Sequence, residues 1–317
     1  MQVWQGLGAI PSDWGPSIVS IGVFDGVHRG HRAVIGRAVA RSRATHVPAV
    51  VVTFDPHPLE VLRPAAAPKA LTTVAHRAAL LGDLGVDAVC VLHFDAELAS
   101  WSPETFVDKV LAQALHAADV VVGEDFRFGH RAAGDVRLLA ELGATRGFAV
   151  HPVGLVEEAG HRWSSTFVRD RVALGEVEAA ARALGRPHRV EGVVVHGDAR
   201  GRELGYPTAN LDVPARTVVP ADGVYAGWLV RGTPHNVSSA GETRLPAAIS
   251  IGTNPTFGGE RRRVEAYVLD RTDLDLYDEH VALDFVARVR DTEKFAGVDE
   301  LVAQMDRDVE QVRTLLR

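Results

Sequence analysis

Residues 18–31, IVSIGVFDGVHRGH, decide how the first half of the chain folds. Ile18, Val19, Ile21, Val23 and Phe24 form an apolar run suited to a buried strand, and the run breaks into a turn holding Gly22, Asp25, Gly26 and Gly30 before a helical pattern begins. Strand, glycine-rich turn and helix in that order make a phosphate loop. The first turn of a helix presents backbone N–H groups that lack intrahelical partners, together with the positive end of the helix dipole. His28 and His31 stand three residues apart where the helix begins, so their side chains share one face. Such a corner suits an anion.

Outward from this stretch, as far as about residue 157, strand-like and helical patterns alternate. IVSIGVF is followed by HRAVIGRAVARSRA, PAVVVTF by TTVAHRAALLGDLG, DAVCVLHFD by PETFVDKVLAQAL, and ADVVVG by DVRLLAELGATRG and FAVHPVGLV. That alternation predicts a doubly wound, mostly parallel sheet with helices on both faces, in which ligands gather at the carboxyl ends of the strands. The loops within GVFDGVHRGH, VTFDPHP, LHFDAELASWSPE and VVGEDFRFGHRAAGD should therefore share one rim. Residues 164–185 read as one helix ending at Gly185, and Pro187 stops further helix, which sets the expected domain boundary between 186 and 187. In 187–317 the strand-like runs HRVEGVVVHG, DGVYAGWLV, LPAAISIG, RVEAYVLD and HVALDFVARVR lack intervening helices. They predict an antiparallel β-barrel or sandwich closed by a terminal amphipathic helix carrying Val298, Leu301, Val302, Met305, Val309, Val312 and Leu316. The fold class is thus α/β plus β, and the polar stretch 231–244 reads as a loop.

A length of 317 residues with 46% hydrophobic content supports two cores, and a formal charge of -7 argues against a mainly nucleic-acid-binding surface. Phosphate handling must then be local. The single cysteine, Cys90, has no internal disulfide partner and sits in an apolar run, which suits a reducing cytoplasm. MQVWQGLGAIPSDWG lacks the marks of a signal peptide, and no apolar run is long enough to span a bilayer. The expected partners are small molecules, with neither nucleic acid nor membrane; a homo-oligomer is compatible with all of this.

Four signals in the first half converge. His28 and His31 are a satisfied pair on a helix surface, a metal pair whose third ligand is not obvious from spacing, or donors to charge building on a phosphoryl group. Pro56 and Pro58 in VTFDPHP lock a loop after a buried strand, which by itself is only a rigid turn. In VVGEDFRFGHRAAGD the glycines Gly123, Gly129 and Gly134 permit close backbone approach, while Phe126 and Phe128 suit either half-buried packing or the border of a flat ring. In SSTFVRD, Ser164 or Ser165 can cap a helix, and with Arg169 one turn on the same residues make a phosphate clamp. In the second half, GDARGRELGYPTANLD places Gly197, Gly201 and Gly205 in an ordinary turn or a phosphate-wrapping loop, with Thr208 and Asn210 as oxygen donors of the kind magnesium takes. Glu265 lies in an alternating strand whose period does not decide which side it faces.

In their combined order these motifs resemble those of the bacterial bifunctional riboflavin kinase/FMN adenylyltransferases. The matching residues in the first half are GxFDGxHxGH at 22–31, TFDPHP at 53–58, GxDFxFG at 123–129 and SSTxxR at 164–169; in the second half they are PTAN, DGVYAGW, SIGTNPTFGG, VEAYVLD and VRDTEKF. The resemblance implies that His28, His31, Ser164, Ser165, Thr166 and Arg169 handle ATP phosphates. It places Gly22, Phe24 and Asp25 in the nucleotide loop, and the Gly123 to Gly129 loop, with Asp125, near the flavin. It also implies that Thr208 and Asn210 bind Mg2+ and ATP and that Glu265 is a catalytic base. Trp163, Tyr206 and Tyr267 stand where an aliphatic residue, Phe and His are usual. The expected chemistry is phosphorylation of riboflavin to FMN, then adenylylation of FMN to FAD. The rivals are a chain with one decayed module and a flavin-binding sensor without turnover.

Overall fold

The structure, a computed structural model, describes residues 1–154, 157–158, 161–197, 205–232, 243–256 and 259–317. It contains two compact units, Met1–Pro68 with Val74–Trp163, and Lys69–Thr73 with Ser164–Arg317.

Apart from two small pairs of two-residue strands, the strands of the first unit are β1 (Gln2–Gln5), β2 (Ser17–Ile21), β3 (Ala49–Asp55), β4 (Ala88–His93), β5 (Ala117–Gly123) and β6 (Ala149–Val153). They form one parallel sheet in the order β1-β4-β3-β2-β5-β6. Three helices are central to the argument: α1 (Arg29–Thr45), α2 (Val74–Asp83) and α3 (Val136–Arg146). The strands read as continuous apolar runs because both faces are covered. Ile18 packs with Ala38 of α1 on one face, whereas Val19 and Ile21 join Val107, Leu111 and Leu139 on the other. Helices on both faces make the sheet doubly wound, as the alternation predicts. Two details differ from the sequence reading. MQVWQ contributes an edge strand of four residues in which only Trp4 is buried, too short a pattern to reveal its period. PETFVDKVLAQAL forms a short α-turn, Pro103–Phe106, continued by a π-helix, Val107–Ala114. Cys90 lies fully buried in β4, and burial pushes its thiol up to about 12, so it is an inert core residue.

In the second unit the expected single helix over 164–185 is two, α4 (Ser165–Ala173) and α5 (Val177–Leu184). Gly175 separates them at φ +77, where a Cβ would approach the Tyr225 hydroxyl to 2.7 Å, so the chain turns at a residue only glycine fits. Six strands follow: β7 (His188–Val195), β8 (Thr208–Asp212), β9 (Gly223–Arg231), β10 (Thr243–Thr256), β11 (Gly259–Val268) and β12 (His280–Arg290). They close into an antiparallel barrel in the order β7-β8-β11-β10-β9-β12, and closure leaves no exposed sheet edge. Tyr225, Leu229, Ile249, Leu283 and Phe285 fill its interior. The terminal helix α6 (Val298–Leu315) sets Val312 against Ala226 and Leu269, and the Arg290 guanidinium holds the buried Asp308 carboxylate at 2.7–3.0 Å. Val298, expected on the packed face, is exposed at the first turn. Most of the 231–244 loop, namely 233–242, and all of 198–204, including Gly201, lie outside the described residues.

Candidate functional site

In the first unit β2, β3 and β4 step to one side of the sheet and β5 and β6 to the other, so the topology reverses between β2 and β5. In an open parallel sheet a ligand crevice opens there, at the carboxyl ends of the strands. The two loops that flank this point are Gly22–His28 after β2 and Glu124–Gly129 after β5.

His28 is the N-cap of α1, with extended φ and ψ, and its Nδ1 accepts the backbone N–H of His31 at 3.4 Å. A ring that accepts at Nδ1 carries its hydrogen on Nε2, so the cap fixes the tautomer and makes Nε2 a donor. The His31 ring stacks on that of His28 with centroids 3.6 Å apart, and Phe24 meets His31 edge to face at 5.2 Å. Two glycines make room for this stack. A Cβ on Gly22 would lie 2.9 Å from the Phe24 ring, and one on Gly30 would lie 3.0 Å from the His28 ring. No acidic residue stands in the first turn of α1, so no carboxylate there opposes an anion at the positive end of the helix dipole.

The loop itself is bent hard, with Phe24 at φ +50, Gly26 at +83 and Val27 at +41. Left-handed non-glycine residues cost about 1–2 kcal/mol each and persist where surrounding structure over-determines them. Here the restraint is Asp25, whose side chain is 3% exposed and faces the Arg77 guanidinium of α2 at 3.7 Å. Arg77 also donates to Thr53 Oγ1 at 3.1 Å, and the Thr53 hydroxyl donates to the carbonyl of Val23 at 2.9 Å. Thr53 of TFDPHP thus ties β3 to the loop after β2. His57 in the same motif caps the short helix Pro58–Leu62, accepting from Leu59 at 3.1 Å. Asp25 therefore shapes the loop from below. Arg77 was not legible as a site residue, because a lone arginine on an amphipathic helix gives no sign that it is buried. Removing one partner of a buried ion pair costs about 3–5 kcal/mol. Arg77→Met is expected to destabilise the protein by about 3 kcal/mol in denaturant unfolding, and to reduce any activity that depends on the Gly22–His28 loop.

On the other flank, Phe126 and Phe128 stack in parallel at 5.5 Å; Phe128 is buried in the core against Phe106, while Phe126 is half-buried and Asp125 exposed. Asp125 pairs with Arg162. Gly129, at φ +72, abuts Pro103, and Gly134 lies under the Phe128 ring, where a Cβ would meet it at 2.7 Å. Of the loop residues singled out by the sequence, Asp125 is exposed and Phe126 keeps part of its ring at the surface.

In the second unit Ser164 caps α4, its hydroxyl accepting from Phe167 at 3.1 Å, with Ser165 and the exposed Thr166 in the first turn. Arg169 Nε donates to the carbonyl of Lys69 at 2.7 Å, which orients its guanidinium.

On the barrel, strand register settles what the sequence period left open. Val264, Ala266 and Val268 are buried on the inner face, so Glu265 and Tyr267 lie on the outer one, half-buried. Asn210 of β8 is the register partner of Glu265, and Thr208 that of Tyr267. Thr208, Asn210 and Glu265 are thus brought onto one face, with Asn210 and Glu265 directly opposite each other, a pairing that sets Cβ atoms about 4.5–5.5 Å apart. A Cβ on Gly197 would overlap the Asn210 carboxamide at 2.3 Å, so the backbone at Gly197 cradles that side chain. Gly205 turns the chain at φ +86 just before this face. Beside it opens a cavity of about 330 Å³ with Val194, Ala266 and Leu276 on its apolar side and Thr208, Arg271 and Tyr277 among its polar lining. A hydroxyl, a carboxamide and a carboxylate on one face are hard oxygen donors that fit Mg2+ shared with phosphates. Among the described residues, no cluster of three or more His, Cys, Asp or Glu could hold a metal by itself, and no helix is long and apolar enough to cross a membrane.

Comparison with known proteins matches both parts of the chain. Residues 10–167 fit the model of the FAD synthetase family and residues 184–316 that of riboflavin kinase. The bifunctional riboflavin kinase/FMN adenylyltransferase of Escherichia coli (strain K12) is 38% identical over 291 residues, covering 92% of this chain and 90% of that protein. Its namesake in Pseudomonas fluorescens is 38% identical over 316 residues, covering 99% and 98%. A crystal structure described as a macrolide-efflux protein from Streptococcus pneumoniae superposes with a TM-score of 0.86 at 32% identity, covering 99% of both chains.

Proposed function

The chain belongs to the family of bifunctional riboflavin kinase/FMN adenylyltransferases, and we propose how its residues carry the two reactions. It phosphorylates riboflavin to FMN with ATP, and it adenylylates FMN with ATP to give FAD and pyrophosphate. We assign the adenylyl transfer to residues 1–186 and the kinase to 187–317, and we place the protein in the cytoplasm, where a lone buried Cys90 needs no oxidising compartment.

The observation that carries the kinase assignment is the register pair Asn210–Glu265 with Thr208 on the same face. The nucleophile of this step is a neutral hydroxyl, so a proton must leave as the bond to the γ-phosphorus forms, and a carboxylate beside the nucleotide ligands is the group for it. Glu265 takes that proton, while Thr208 and Asn210 hold Mg2+ and the ATP phosphates. Bound there, Mg2+ supplies neutralisation of the charge on the transferring phosphate. The cavity next to Thr208, apolar on the side of Val194, Ala266 and Leu276, suits the base of the nucleotide. Asn210→Ala is expected to raise the ATP and Mg2+ concentrations needed for half-maximal FMN formation by about tenfold, the scale of one hydrogen bond to a charged group. Initial rates of FMN formation at varied ATP and Mg2+ test this; unchanged requirements for both would remove Asn210 from the site.

The adenylyl transfer makes a different demand. Its nucleophile, the FMN phosphate, is already an anion and needs no base. Two anions must be aligned, and charge on the bridging and non-bridging oxygens must be stabilised. The Nε2–H of His28, the stacked His31 and the positive end of the α1 dipole meet that demand at the topological switch point of the sheet. Gly22 and Phe24 keep the stack in place, and Phe126, Asp125 and Gly123 border the flavin side. Ser164, Ser165, Thr166 and Arg169 are assigned to ATP phosphates from their motif.

A further inference from the structure

The kinase face described above is joined to the terminal helix by a side chain that neither reaction uses. Tyr206 lies between Gly205, which turns the chain at φ +86, and Pro207, whose ring fixes its own φ; Thr208 comes next. The chain therefore turns just before Tyr206 and is stiffened by the proline ring just after it. The Tyr206 ring meets Tyr267 edge to face with centroids 5.1 Å apart, and Tyr267 is the register partner of Thr208, two residues from Glu265. The Tyr206 hydroxyl donates a hydrogen bond to the carboxylate of Asp306 on α6. That helix is a firm anchor. Two residues on, Asp308 is buried against Arg290 of β12 and accepts from Gln304 at 2.8 Å, and Arg313 pairs with Asp270 beyond the end of β11 at 2.5 and 3.1 Å. Burial and the neighbouring Asp306 push the Tyr206 phenol up to about 12, so it remains a donor across the neutral range.

We infer that Tyr206 is a positioning residue of the kinase reaction: by bonding to Asp306 it fixes the first residues of β8 to the terminal helix and so presents Thr208 to the incoming nucleotide. The inference rests on the reading of Thr208 and Asn210 as nucleotide ligands. A strand start already held in place has less ordering to lose on binding, so the tether acts on affinity for ATP more than on turnover.

The test uses the full chain with riboflavin, ATP and Mg2+, following FMN formation. Tyr206→Phe keeps the ring against Tyr267 and removes only the hydroxyl. It should raise the KM for ATP about fivefold, the low end for a bond to a charged acceptor at a half-exposed site, with kcat changed by less than about twofold. Asp306→Ala should match it. Asp306→Asn, whose amide oxygen still accepts, should recover most of the wild-type KM, and the double variant Tyr206→Phe/Asp306→Ala should be no worse than either single change. An ATP KM unmoved in Tyr206→Phe, or single effects that simply add in the double variant, would overturn the inference. So would a loss of kcat and melting temperature without a change in KM, since that is the mark of a structural contact alone. Thr208→Ala run in parallel separates the two layers. A raised KM there with none in Tyr206→Phe ends the tether and leaves the ligand reading standing, whereas no change in either ends both.

Discussion

Replacing Glu265 with Gln is expected to slow FMN formation from riboflavin about 10³-fold, within the range a positioned general base supplies, while conversion of added FMN to FAD continues at the wild-type rate. Gln is close to Glu in size and keeps a hydrogen-bonding head opposite Asn210, so the barrel register and the outer face are preserved. What disappears is the capacity to take a proton from the hydroxyl nucleophile. Because the adenylyl transfer has no proton to remove at its nucleophile, it should not notice the change. Separate assays with riboflavin and with FMN, each resolved by chromatography, read the two steps independently. Loss of both activities in a folded variant would contradict the division of labour between base-dependent and base-free chemistry. Retention of the kinase within a few-fold would remove Glu265 from the reaction.

Substitution of His28 acts on the other step, and the structure allows its two roles to be separated. His28 caps α1 through Nδ1 and offers Nε2–H on the far side of the ring. His28→Ala loses both, so it is expected to destabilise the protein by about 1 kcal/mol through the lost cap and to lower FAD formation by about 10²–10³, the scale of one charge-stabilising donor. His28→Asn retains a capping oxygen near the position of Nδ1 but has nothing that reaches as far as Nε2. It should restore the stability and leave the rate low. Steady-state rates of FAD formation and denaturant unfolding of the two variants check this together. FAD formation within a few-fold of wild type in His28→Ala would show that the ring is only a cap.

The sequence carried the architecture well because both units advertise it locally. The parallel sheet shows as repeated apolar runs joined by helical periods, and IVSIGVFDGVHRGH contains strand, turn and helix in one reading. The histidine pair was equally legible, since a three-residue spacing at a helix start fixes a shared face. Less visible were features created by pairing between distant segments. Whether Glu265 faced the core or solvent depended on register with β8, more than fifty residues earlier. Asp25 reads as part of a phosphate loop, yet its carboxylate faces Arg77 beneath the loop, a contact no local pattern announces. The break at Gly175 was hidden because its flanks both have good helical periods; the need for a turn comes from Tyr225 and Arg288 crowding the glycine. Phe126 and Phe128 show the same limit in miniature. Their spacing suggested one role for both, and packing gives Phe128 to the core while Phe126 stays at the surface.

The most direct test of the two-step reading is a time course with the purified chain, riboflavin, ATP and Mg2+, in which riboflavin, FMN and FAD are separated and quantified. The account predicts that FMN appears first, that FAD follows, and that neither forms without ATP. Riboflavin left unchanged, with added FMN also left unconverted, would contradict it and point to a protein that binds flavin without turning it over.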